Sequence, residues 1–307
     1  MLRTGLGVAL LLLPACGGGG QVGPSPSPSS TAAGSASPSP SAPVVPFNVG
    51  YKNDQPNLNQ LGQGQDQPKG FESTLAQVVL GGTLGLPVNF TPITASTWED
   101  ALNSRRVRVV VSAVSYTEER NKRFLFAGPY LKTGLGVLVG KDSKLVDKDL
   151  IAAAKGLKVC YQENTTAAPA VELWAARDSS VTKVPQSTSD RCLAEIGANP
   201  DEVFISDGLI LRGQSIATPG KDLYRFVEYD PGSLPQKYAI ALHPDDRELC
   251  QQIAKALDGY LRPPSSQWFD NFNSWFGPAW GDRARVEELY KPAGIEKSWC
   301  TPPSSQG

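Results

Sequence analysis

From Phe47 to about Arg262, short apolar runs of strand length alternate with longer stretches of helical spacing, and this alternation limits the fold more than any other feature of the chain. FNVGY (47–51), VNFTPI (88–93), VRVVVS (107–112), GLGVLVG (134–140), KVCYQ (158–162), EVFIS (202–206) and KYAIAL (237–242) read as strands. Between them, residues 70–85 carry Phe71, Leu75, Val78 and Val79 at helical spacing. TTAAPAVELWAAR (165–177), STSDRCLAEIG (187–197) and PDDRELCQQIAKALDGYLR (244–262) also read as helices. In the last, Leu249, Ile253, Leu257 and Leu261 form a stripe that core packing explains. Ser96-Thr97-Trp98-Glu99 has the form of a capping box opening a helix to about Arg105, with Trp98 on its apolar side. Alternation of this kind builds α/β folds with mostly parallel sheets, which bind ligands beyond the carboxyl ends of their strands. Chemistry is therefore expected in the loops after residues 51, 112, 161 and 205. With 307 residues and 40% hydrophobic content, the chain can bury one large core or two ordinary ones.

The first 46 residues have a different character. Arg3 precedes an apolar run, Leu6 to Ala15, which closes in Leu13-Pro14-Ala15-Cys16 and is followed by Gly17 to Gly20. The run is too short to span a bilayer and reads as an export signal, residues 1–15. L-x-A-C resembles the bacterial lipobox, which implies a diacylglyceryl group on Cys16 and an extracytoplasmic chain anchored to the membrane by its acyl chains. The plainer alternative is an uncleaved tail with an incidental cysteine. Residues 16–46, rich in Gly, Ser and Pro, hold too little apolar area to offset the entropy of ordering and read as a tether. Cys160, Cys192, Cys250 and Cys300 remain, and four cysteines allow three pairings. The local pairs, Cys160 with Cys192 and Cys250 with Cys300, are favoured, each contributing about 3–4 kcal/mol in the chain-entropy model. No C-x-x-C occurs and the one histidine is His243, read as an exposed residue after a strand, so no metal and no cofactor are expected. A formal charge of −1 gives no reason to expect nucleic acid as a partner.

Three cations, Arg120, Lys122 and Arg123, crowd the segment VSYTEERNKRFLFAGPY (114–130). Solvated pairing with Glu118 and Glu119 would explain any of them and would be worth little. The arrangement S-x-T-x-x-R (Ser115 to Arg120) followed by F-A-G-P-Y, with GYKNDQP (50–56), KVCYQENTT (158–166) and DRCLAEIG (190–197), resembles the amino-acid class, family 3, of bacterial extracellular solute-binding lipoproteins. It is similar in particular to actinobacterial glutamate- and glutamine-binding members. The resemblance covers nearly all of residues 47–276 and implies a receptor, with no enzymatic activity, for an amino-acid zwitterion.

Such a ligand needs a fixed cation and a fixed anion, and a guanidinium is the better cation because its planar fork makes two parallel charge-assisted bonds. The resemblance assigns that role to Arg120, with Ser115 adding a donor, and leaves Lys122 and Arg123 to solvent. Thr165 and Thr166, at a strand-to-helix turn, complete the carboxylate site; one of them could equally be a simple N-cap. Asp207 in FISDGLIL takes the ammonium, helped by the carbonyl of Ala113; a helix cap is its plainer role. Lys52 matches a lysine of glutamate-binding relatives and suits a side-chain carboxylate, against the alternative of a solvated surface lysine. Four positions depart from the family pattern: Asn164 where glycine is usual, Gln55 where an aromatic often covers the ligand, Glu72 for Asp, and Arg108 for Asp. Asparagine tolerates a left-handed backbone, so the turn at Asn164 is expected to persist.

The implied fold is a two-lobed type II periplasmic-binding architecture with a hinge of two crossovers near Leu131 and Tyr238. Lobe 1 comprises 47–131 and 238–300, lobe 2 comprises 134–236, and 301–307 form a tail. The implied partners are the amino acid and an ABC permease, for a monomeric receptor; a membrane sensor protein in place of the permease is the alternative. A dehydratase-like enzyme on the same fold would need a general acid in the cleft, for which Glu163 is the candidate.

Overall fold

The computed structural model describes residues 46–141, 143, 156–199, 202–217, 224–228, 235–262, 267–277 and 281–301. The expected signal peptide, the Cys16 lipidation site, nearly all of the tether and all but the first residue of the tail lie outside the described residues.

Ten strands form two five-stranded sheets. The first contains β1 (Phe47–Lys52), β2 (Val88–Ile93), β3 (Val109–Val110), β4 (Leu125–Thr133) and β10 (Gln236–Leu242), in the order β2-β1-β3-β10-β4. The second contains β5 (Leu135–Gly140), β6 (Lys158–Gln162), β7 (Thr182–Gln186), β8 (Glu202–Asp207) and β9 (Tyr224–Glu228), in the order β7-β6-β8-β5-β9. In each sheet one strand, β10 or β5, runs against the others. The continuous apolar run of β5 is buried at every position, as expected of a strand covered on both faces. This is a two-lobed α/β architecture with one sheet per lobe.

Only Gly134 separates β4 in the first sheet from β5 in the second, and the chain returns between β9 and β10. At the crossing β4 and β10 are antiparallel neighbours, with Thr133 opposite Gln236 and Leu131 opposite Tyr238. The register then shifts between Tyr238 and Ile240. Into that irregularity the loop after β3 hooks: Ala239 N donates to Val114 O (3.0 Å) and Tyr116 N to Lys237 O (2.9 Å). The hinge strand therefore also carries the loop in which ligand contacts are expected.

Each sheet is faced by helices that bury their apolar stripes. Helix Arg247–Leu261 places Ile253, Leu257 and Leu261 in the core of the first lobe. Disulfides join Cys160 of β6 to Cys192 of helix Ser189–Ala198, and Cys250 of helix Arg247–Leu261 to Cys300, the local pairing expected.

Several local expectations are corrected. The helix Trp98–Asn103 forms without the capping box. Thr97 Oγ1 accepts from Thr94 N (2.9 Å), and Glu99 pairs with Arg123. The apolar run 107–112 contributes only two residues to the sheet, and FAGPY belongs to the nine-residue strand β4. Residues 71–76 are α-helical, but the next turn, Gln77–Thr83, widens to π geometry where Gly81 and Gly82 weaken the α pattern. His243 is partly buried, its Nδ1 bonded to an Arg105 Nη2 donor (2.9 Å) and to Asp245 N (3.2 Å). Arg108 lies on the surface and pairs with Asp246 at 3.2 Å.

Candidate functional site

A narrow cavity of about 20 Å³ lies at the carboxyl ends of β1, β3, β6 and β8. Every expected ligand residue lines it: Lys52, Ala113, Ser115, Arg120, Thr165, Thr166 and Asp207. Gln55, Trp98, Asn164, Gln162 and Ser206 line it as well. The first lobe supplies one wall and the second lobe the other.

The first wall is held from beneath. Glu72 is fully buried and accepts from Asn59 Nδ2 (2.7 Å), from Ala113 N (2.6 Å) and from the hydroxyl of Tyr130. Burial raises its pKa, and those three donors pull it back down. Asn59 Nδ2 also reaches Val111 O (3.0 Å), and Ser73 Oγ donates to Asn59 Oδ1 (2.5 Å). Ser112 Oγ accepts from Lys52 N (2.7 Å) and donates to Gln55 Oε1 (3.3 Å). The loops after β1 and β3 are thus knitted into one surface. Ala113 adopts φ +45°, a left-handed conformation in which a side chain is unusual and which survives because its N–H is captured by Glu72.

Arg120 sits in the short helix Glu118–Asn121, capped by Thr117 Oγ1, which accepts from Arg120 N (3.1 Å). Its Nη1 donates to Ser115 O (2.8 Å), its Nη2 donates across the cleft to Asn164 O (3.0 Å), and its guanidinium lies 5.5 Å from the Trp98 ring. Burial draws its pKa down, opposed by the charges of Glu99 and Asp207. The neighbouring cations behave differently: Lys122 pairs with Glu119 (2.7 Å) and Arg123 with Glu99, both on the surface. Ser115 Oγ is buried without a hydrogen-bond partner among the described residues. An orphaned buried hydroxyl is costly and rare, so it marks a place where an external polar group is wanted.

Lys52 is buried and has no salt bridge among the described residues. Burial lowers its pKa, while Asp54, Glu72 and Asp207 act through space to raise it. A solvated surface lysine is ruled out by this geometry.

On the second wall, Asn164 takes φ +59°, the left-handed turn expected of an asparagine in a glycine position. Thr165 Oγ1 donates to Gln162 O (2.6 Å), so its proton is committed to closing the loop. Thr166 is the N-cap residue of helix Ala167–Arg177, but neither threonine hydroxyl caps it. Asp207 ends β8 and accepts from the Tyr238 hydroxyl of the hinge strand (2.6 Å). It does not cap the following helix, whose first N–H groups go to Gly134 O (2.8 Å) and Thr133 Oγ1 (3.4 Å). Burial pushes its pKa up from 3.8 to about 6, against the opposing pull of Tyr238, Lys52 and Arg120.

The walls also bond to each other directly. Gln162 Nε2 (3.1 Å) and Ser189 Oγ (3.3 Å) donate to Asp54 Oδ2, and Gln214 Nε2 donates to Asp54 O (2.7 Å). Gly213 passes so close to Pro56 that a Cβ there would stand 2.4 Å from the Pro56 carbonyl.

Sequence reasoning missed Trp98, Gln162 and Ser206 as lining residues. Trp98 looked like ordinary core on an apolar helix face. Gln162 and Ser206 are strand-end residues whose loops were the expected ones, so strand polarity could have found them. Glu163 is exposed and is not among the residues lining the cavity.

Comparison with known proteins agrees with the geometry. The glutamate-binding protein GluB of Corynebacterium glutamicum is 25% identical over 220 residues, spanning 69% of this chain and 72% of that protein. The L-cystine-binding protein TcyJ of Escherichia coli K12 is 25% identical over 225 residues, spanning 67% and 77%. An ancestral arginine-binding protein solved with bound glutamine superposes with a TM-score of 0.66 at 23% identity, covering 75% of this chain and 97% of that one. Residues 47–277 match the family model as a whole. With that match and a cavity between two lobes, the chain belongs to the bacterial extracellular solute-binding proteins, family 3.

Proposed function

We propose that the chain binds a free amino acid with a carboxylate or amide side chain, L-glutamate first and L-glutamine second, outside the cytoplasmic membrane, and delivers it to an ABC importer. The ligand carboxylate engages Arg120, the Ser115 hydroxyl and the turn at Thr165 and Thr166, where free N–H groups at a helix start favour an anion. The ligand ammonium engages Asp207 and the Ala113 carbonyl. Binding both walls at once stabilises the closed form, because only that form makes both sets of contacts.

One observation carries the choice of ligand. The charged groups lining the cavity are two cations, Lys52 and Arg120, and one carboxylate, Asp207. After Arg120 and Asp207 have met the zwitterion, Lys52 is the charge still lining the cavity; Asp54 and Glu72 act on it through space, but it makes no direct ion pair among the described residues, which favours a further carboxylate on the ligand. The similarity to the glutamate-binding protein GluB supports the same reading.

A thermal-shift panel of L-glutamate, L-glutamine, L-aspartate, L-asparagine, L-arginine and L-cystine tests it. A ligand at a hundred times its dissociation constant stabilises by about 2.7 kcal/mol. The largest shift is expected with L-glutamate; a panel in which only L-arginine or L-cystine raises the midpoint refutes the assignment. Anchoring through Cys16 is tested by Cys16→Ala, which should move the protein from the membrane fraction to the soluble one.

A further inference from the structure

The family match ends at residue 277, yet residues 281–301 return to the first lobe and reach the back of the Arg120 loop. Glu296 N donates to Gly128 O of β4 (2.8 Å), directing the chain along the sheet. Trp299 is buried and stacks face to face on Tyr116, with centroids 3.9 Å apart and rings 5° from parallel. Tyr116 in turn meets Phe126 edge-on at 5.6 Å. Two residues later, Thr301 O accepts from Asn121 Nδ2 at 3.5 Å. The extension therefore touches the loop at Tyr116 and at Asn121, one on each side of Arg120. Its end is fastened by the disulfide between Cys300 and Cys250.

Helix Glu118–Asn121 is a single turn and cannot hold its own geometry in water. Its guanidinium must nonetheless be placed closely enough for a two-bond grip on a carboxylate. We propose that residues 281–301 are a brace that positions the Arg120 guanidinium, with Trp299 as the positioning residue and the Cys250–Cys300 bond as its tie. Trp299 does not line the cavity; it acts through Tyr116, which adjoins Ser115 and the capping residue Thr117. The consequence for affinity rests on the reading that Arg120 grips the ligand, whereas the positioning itself does not.

Two measurements on the full chain separate these. Amide hydrogen exchange without ligand reads the brace: in Trp299→Ala, amides 116–121 exchange faster, while those of β1 and of 163–167 keep their rates, and Trp299→Phe restores protection. Titration with L-glutamate reads the consequence: Trp299→Ala weakens binding by about tenfold, the scale of one lost aromatic stack, and Trp299→Phe recovers most of it. Should Trp299→Ala not fold, the double variant Cys250→Ser, Cys300→Ser cuts the tie and is read in the same two ways. Unchanged exchange at 116–121, or acceleration spread evenly over the first sheet, overturns the brace. A wild-type chain that ignores both L-glutamate and L-glutamine overturns the proposed function and leaves exchange to decide the brace.

Discussion

On the first wall of the cleft, the loops that face the ligand are fixed from within the core. Glu72 holds the N–H of Ala113, Asn59 ties Glu72 to Ser112 and Val111, and Ser112 holds the backbone of Lys52. On the second wall, Thr165 bonds within its own loop, Asn164 is exposed, and Asp207 takes the hydroxyl of Tyr238 from the first lobe. One wall is a finished template, and the other is completed by contact with it. Preorganisation of this kind confines the ordering cost of binding mainly to closure of the second lobe. The largest mutational effects should therefore fall on charges of the first wall and the smallest on the second-wall turn.

The sharpest test sets Arg120 against Arg123. Arg120→Ala removes a half-buried charge from the template and should cost about 2–5 kcal/mol of ligand affinity by calorimetry. Arg123→Ala removes only a surface pair with Glu99 and should leave affinity unchanged. Equal losses from the two would dissolve the distinction between template and surface.

That distinction was readable in part from sequence. Strand polarity pointed to four loops, and the S-x-T-x-x-R segment singled out Arg120 from two adjacent cations. Burial of Lys52 and the network around Glu72 could not be read, because Lys52 is tied to Ser112, 60 residues on, and Glu72 to Ala113 and Tyr130, 41 and 58 residues on, and none of these carries a local signal. The missing capping box has the same origin: Glu99 is claimed by Arg123, a partner 24 residues away. Trp299 was invisible for the opposite reason, since it stands beyond the end of any pattern that could be matched.

Lys52 sharpens the comparison by asking what the first wall selects. Lys52→Met keeps the volume and deletes the charge, and should cost L-glutamate about 1.5–3 kcal/mol, the worth of a charged hydrogen bond. L-Glutamine should lose much less, so the preference between the two narrows or reverses. If both ligands weaken equally, the lysine supports the fold of the loop and does not read the side chain.

Asp207 tests the second wall by pH. With its pKa at about 6 in the ligand-free protein, above its ordinary 3.8, the folded chain holds this proton more tightly than the unfolded one. Its contribution to ligand-free stability is complete below about 3.8 and lost as the pH rises through about 6. The ligand ammonium requires the ionised form, so binding below pH 6 must expel the proton. Affinity should be flat above that pH and fall by up to about tenfold per unit below it. Calorimetry in buffers of different ionisation enthalpy should register proton release near pH 5 and none near pH 8. Proton uptake in place of release would remove Asp207 from the ammonium site.

Asn164 should give the smallest effect and for that reason is the most discriminating control. Its bond to Arg120 runs through the backbone carbonyl, and its side chain is exposed. Asn164→Gly keeps the carbonyl and makes φ +59° easier to hold, at the cost of a more flexible unfolded chain. The two terms oppose each other, and affinity and stability should both stay within about 0.5 kcal/mol of the parent. A larger loss of affinity would mean that the asparagine side chain itself reaches the ligand or the opposite lobe. The second wall would then be a reader of the ligand in its own right, and the asymmetry between the two walls would disappear.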